Sequence, residues 1–112
     1  MTMKPIFFAT AFGAALLVAQ GASAFECPKH FAEAQAAIDK VSADMKAAGD
    51  KVAKADMALI HALLDDAKTL LTSGKHNHEK SQGKYDHARA IAKADSATGY
   101  AGAADIYLGK AM

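Results

Sequence analysis

The chain reads as all-α, a small antiparallel up-and-down bundle of three long helices plus a short fourth. Apolar residues recur at alternating three- and four-residue spacing over long stretches, which places them on one helix face. Nothing alternates with period two, and valine, a strand former, occurs only three times. Glycine next to a polar residue falls between the periodic stretches, at Gly49-Asp50 and at Ser73-Gly74-Lys75.

The first helix is expected from Pro28 to Ala48, because proline suits the first helical position, where no amide donor is needed. Its stripe is Phe31, Ala34, Ile38, Val41, Met45 and Ala48, with Cys27 in the middle of that stripe and His30 on its edge. The second helix is expected over Lys51 to Thr72, with Met57, Ile60, Leu64, Ala67 and Leu71 as its seam and Leu63 and Leu70 broadening it. Gly74 is placed as its C-terminal cap, and Lys75 lies near the negative end of the dipole. For the third helix Asn77 offers an early cap and Ser81 to Gly83 a later loop with Lys84 as the start; the early start is preferred. Its inner face is Tyr85, Ala88, Ile91 and Ala92. Asp95-Ser96 offers a break and a new N-cap. A short fourth helix from Ala97 to Leu108 then buries Tyr100, Ala104, Tyr107 and Leu108.

Residues 1–24 have the form of a secretion signal. Lys4 supplies the charged start, Ile6 to Ala19 an uncharged apolar run, and Ala22-Ser23-Ala24 a small-residue cleavage site. The run is short for a membrane span, so no stable membrane insertion is expected after cleavage. Cleavage after Ala24 makes residues 25–112 a single helical-bundle domain in the periplasm or secreted medium. Removing 24 of the 112 residues leaves 88, near the lower limit for a chain that folds alone. A bound ion or a partner would add stability.

Without Lys4, the basic residues equal the 12 acidic ones in number. That balance argues against nucleic acid, which rewards a basic stripe. The single cysteine cannot make an internal disulfide, so Cys27 is a reduced thiol, a bridge in a Cys27-linked dimer, or a ligand.

Consecutive helices joined by short turns run as antiparallel neighbours. The start of helix one, the end of helix two and the start of helix three then share one end of the bundle. That end collects Cys27, His30, His76 and His78, the main metal-site candidate, with Glu79 beside them. A hairpin folded about Gly74-Lys75 sets His61 level with His87, and Asp65 lies one turn from His61; these three form the second candidate. Imidazole suits zinc, copper and nickel, and thiolate adds a soft donor preferred by Cu(I) and Zn. A helix N-terminus close to Cys27 favours the thiolate that a metal needs. The competing reading makes His61 a flank histidine paired with Asp65, His76 and His78 solvated loop residues, and Cys27 a bystander.

The segment HALLDDAKTLLTSGKHNHEKSQGKYDHARAIAKA resembles the small periplasmic metal-binding proteins, alanine-rich four-helix bundles with histidines scattered along their helices. The likeness covers about half of the processed chain, chiefly His61-Ala62, Ala67-Lys68, the Gly74-Lys75-His76 turn and His87-Ala88. It implies reversible binding of divalent ions such as copper, nickel or zinc, and a role in metal buffering or tolerance; delivery of the ion is a further role open to such a bundle. With five histidines and none in the last helix, the chain is poorer in histidine than that family.

An accessory subunit packing on a larger periplasmic protein is the alternative, motivated by the alanine-rich later helices. An enzyme is not expected, because no Ser/His/Asp order, glycine-rich phosphate loop or HExxH occurs. Absence of CxxCH removes a c-type cytochrome.

Overall fold

The computed structural model describes residues 23–112. The secretion-signal segment lies outside the described residues except for Ser23 and Ala24. Three helices pack together and no strand occurs among the described residues: α1 (Ser23–Ala48), a 3-10 turn (Gly49–Lys51), α2 (Lys54–Glu79) and α3 (Lys84–Ala111). α3 packs extensively on both α1 and α2, which touch each other less.

α1 begins a turn earlier than Pro28, so the proline stands inside the helix rather than opening it. Lacking an N–H, it leaves one carbonyl of the preceding turn without its helical donor. The expected stripe is buried throughout: Cys27, Phe31, Ala34, Ile38, Val41, Met45 and Ala48. Gly49 ends the helix with φ at +52°, the left-handed conformation in which a side chain would be strained.

α2 corrects the expected boundary. It runs through Ser73-Gly74-Lys75 and ends at Glu79, so Gly74 is not a cap. Gly74 is buried inside the helix, where a Cβ would stand 3.0 Å from the Ala90 carbonyl oxygen, 3.3 Å from Lys93 Cβ and 3.5 Å from Phe31 Cε1. A glycine in mid-helix costs about 1 kcal/mol against alanine; here it admits the backbone of α3. The seam Ile60, Leu64, Ala67 and Leu71 is buried as expected, with Met57, Leu63 and Leu70 partly buried beside it.

The chain turns at Lys80 to Gly83 instead, the later of the two loops. Ser81 Oγ donates to the Gly83 carbonyl at 3.0 Å, and the Gln82 N–H donates to Asp86 Oδ2 at 2.8 Å. That carboxylate in the first turn of α3 satisfies a backbone donor just before the helix, as capping side chains do.

α3 is one helix of 28 residues, and no break occurs at Asp95-Ser96. The expected third and fourth helices are therefore a single element. Its buried stripe is Ala90, Ala94, Ala97, Ala101, Ala104 and Leu108. Tyr85, Ala88, Ala92, Tyr100 and Tyr107, placed inside by the sequence reading, are exposed. Alanines carry the inner face because α2 and α1 approach too closely for large side chains, and the aromatics go to the surface.

Polar contacts pin the helices along their length. Lys93 Nζ donates to Ser73 Oγ at 2.7 Å and to Asn77 Oδ1 at 2.6 Å, and Tyr107 Oη donates to Asp56 Oδ1 at 3.1 Å. Between α1 and α3, Lys40 bridges Asp44 and Asp105, which raises the lysine above its ordinary pKa.

The close approach predicts opposite effects at two glycines of ordinary helical conformation. Gly74→Val should lower the free energy of unfolding by about 1–3 kcal/mol, the cost of overpacking. Gly99, where a Cβ meets nothing within 4 Å, should gain up to about 1 kcal/mol on substitution by alanine. Urea unfolding of both variants checks this; equal stabilities would contradict the packing described.

Candidate metal centre

Each helix carries its apolar stripe to one end of the molecule, and each stripe finishes on a donor atom. On α1 the stripe starts at Cys27; on α2 the spacing 67, 71, 74 continues to His78; on α3 the spacing 97, 94, 90 continues back to His87. The three residues come together. Cys27 Sγ lies 3.8 Å from His87 Nδ1, and His78 Nδ1 lies 3.3 Å from His87 Nδ1. One donor atom from each falls within 4.8 Å of the others.

Those separations suit an ion. Zinc bonds of about 2.0–2.1 Å to nitrogen and 2.3 Å to sulfur require tetrahedral edges of about 3.3 Å between nitrogens and 3.6 Å between nitrogen and sulfur. Both imidazoles turn Nδ1 inward. Without an ion, one Nδ1–H donates to the other Nδ1 and the thiol donates to the His87 carbonyl at 3.6 Å. Phe31 closes one side, its ring meeting that of His78 edge-on with centroids 5.6 Å apart.

Cys27 is fully buried, and both histidines are half-buried. Burial pushes the thiol pKa up, partly offset by a backbone hydrogen bond. The favoured thiolate expected from a helix N-terminus is thus not found, because burial of Cys27 favours the neutral thiol. A thiol whose pKa is raised by folding stabilises the fold below the ordinary thiol pKa, and that contribution is lost as pH rises through the raised value.

The other sequence candidates lie elsewhere. His30 turns from the cluster to α3, where Nδ1 stands 2.6 Å from Asp95 Oδ1, and its Nε2 is 4.0 Å from Glu26 Oε2. With Glu33 and Asp95 it forms a second potential donor group, but both carboxylates are exposed and already suit an ordinary surface ion pair. His76 is exposed. Two residues from His78 on a continuous helix, it points about 200° away around the axis. His61 and Asp65 are exposed too. His61 precedes His78 by 17 residues on α2, which sets it about 25 Å along the axis from the cluster. It is therefore not level with His87, and it lines a separate groove with Met45, Met57 and Leu64.

A turn near Gly74 would set His87 level with His61, whereas the turn at Lys80 to Gly83 sets it beside Cys27 and His78. The signal that places it correctly was present: Ser81-Gln82-Gly83 as the loop, with His87 three residues before Ala90 on the alanine stripe.

No family model matches the chain, and no curated protein or solved structure matches it.

Cys27 should react slowly with a small alkylating reagent at neutral pH in the folded protein and fast in urea, since burial and a raised pKa both suppress the attacking thiolate. Equal rates, followed by intact mass, would contradict the buried position.

Proposed function

We propose that this protein is exported with removal of residues 1–24, and that residues 25–112 form one up-and-down bundle that reversibly binds a transition-metal ion. The ion would be buffered, tolerated or delivered; no reaction is assigned. The observation that carries this reading is the meeting of Cys27, His78 and His87 from three helices. The up-and-down order is supported by two sets of contacts. Cys27, His30 and Lys40 meet His87, Asp95 and Asp105 in rising order, and Asp56, Asn77 and His78 meet Tyr107, Lys93 and His87 in falling order.

The chemistry follows from the donor set. A sulfur and two imidazole nitrogens suit copper, zinc or nickel rather than calcium or magnesium, which take oxygen. An ion here would tie the start of α1 to the α2–α3 turn. Since it binds only where the three helices are packed, it would stabilise the fold by mass action.

A second reading, the accessory subunit, is favoured by a shallow groove lined by Leu63, Ser96, Gly99, Tyr100 and Ala103, with Leu59 half exposed on the turn of α2 before Leu63. No described helix is long and apolar enough to cross a membrane. A purified chain that is monomeric and retains metal favours the first reading; one that carries no metal and associates through this groove favours the second.

Titration of the purified protein with Cu, Zn and Ni is the test of metal binding. His78→Ala and His87→Ala should each abolish most of the affinity, while His61→Ala and His76→Ala leave it within about twofold, as exposed residues remote from the donors should. Unchanged affinity in the first pair would refute the site. Intact mass of the secreted protein should begin at Phe25; a mass that includes residues 1–24 would refute the processing.

A further inference from the structure

Building on the reading of Cys27, His78 and His87 as one ion site, we propose that the site takes Cu(I) in three-coordinate form, in preference to Zn(II). Three properties of the donor set argue for it.

The first is number. Among the described residues the group closes at three donors; no further histidine, cysteine or carboxylate comes within 4.8 Å of them all. Zinc sites are almost always four-coordinate, and one with three protein ligands completes itself with water. Cu(I) has a filled shell with no need of the fourth donor.

The second is charge. The group holds one thiol and no carboxylate. Loading Cu(I) displaces the thiol proton to solvent and forms the copper–sulfur bond, so the thiolate and the monovalent ion leave a neutral centre. Zn(II) on the same ligands leaves a net positive charge. That charge would sit against Cys27, fully buried, and Phe31, 9% exposed. An uncompensated charge beside an apolar wall is costly, and a neutral centre avoids the cost.

The third is softness and exposure. A thiolate is a soft donor suited to Cu(I), and the two imidazoles complete a set that hard ions do not prefer. The wall of Cys27 and Phe31 keeps solvent from one side of the ion. His78 and His87 are only half-buried, so the ion keeps an exposed side on which a partner's donor can exchange it.

The experiment uses the purified full-length processed protein, free of metal and handled without oxygen. Cu(I) and Zn(II) are each supplied against a chromogenic chelator of known affinity, and the copper-loaded protein is measured by X-ray absorption. The expected result is one Cu(I) per chain, displacement of bound Zn(II) by an equimolar amount of Cu(I), and a shell of one sulfur and two nitrogens. Cys27→Ser, His78→Gln and His87→Gln should each weaken Cu(I) by more than the about 10–100-fold that loss of a mere orienting partner costs. Circular dichroism confirms that each variant is folded, and the half-buried histidine variants keep the test decisive if Cys27→Ser is not.

Zn(II) that resists displacement by Cu(I), or a four-coordinate copper shell, would overturn the preference while leaving a metal site at these residues. Failure of the wild-type protein to hold either ion, or full affinity in the folded histidine variants, would overturn the metal site itself.

Discussion

The approach of α2 to α3 at Gly74 governs where the rest of the molecule can go. With no Cβ at that position, the Ala90 carbonyl oxygen and the Lys93 side chain come within 3.3 Å of where one would stand. One turn further toward the end of α2 comes His78, and one turn back toward the start of α3 comes His87, so the same approach brings the two imidazoles to 3.3 Å. The alanine stripe of α3 extends this closeness along the bundle. Large side chains on α1 and α2, among them Ile38, Val41, Ile60 and Leu64, fill the space that the alanines leave.

A core of this kind has ends, and the two ends differ. At one, Met45, Ala48, Val52 and Leu108 continue the apolar packing. At the other, the three stripes finish on sulfur and nitrogen, a polar layer set where an apolar one would have been simpler. Polar groups withdrawn from water need partners, and the buried thiol and the two half-buried imidazoles find them in one another and in the His87 carbonyl. An ion would replace those internal hydrogen bonds with stronger links across all three helices, which gives the layer a physical reason beyond packing.

The stripes of α1 and α2 were legible in the sequence because large apolar residues mark them at every turn. α3 was not, since alanine marks inner and outer faces alike and the bulky Tyr85, Tyr100 and Tyr107 drew the inner face to the wrong side. Gly74 misled for a related reason: a glycine after an apolar run and before a lysine has the local pattern of a helix stop, and only the neighbouring helix reveals that its missing side chain serves packing. From that one shift came the division of Cys27 and His78 from His87, and the inclusion of His76, which a continuous helix turns outward. Cys27 and His78 share one end in both readings because the start of α1 and the end of α2 meet there whichever turn is chosen.

If the Gly74 approach draws His78 and His87 into a single centre with Cys27, the nitrogen-15 resonances of the imidazole rings will report it during addition of one equivalent of Cu(I). The Nδ1 signals of His78 and His87 should shift together and saturate at one ion per chain, with both rings protonated at Nε2, while those of His30, His61 and His76 stay in place. A first shift at His30, His61 or His76, or movement of only one of the two inner rings, would contradict it.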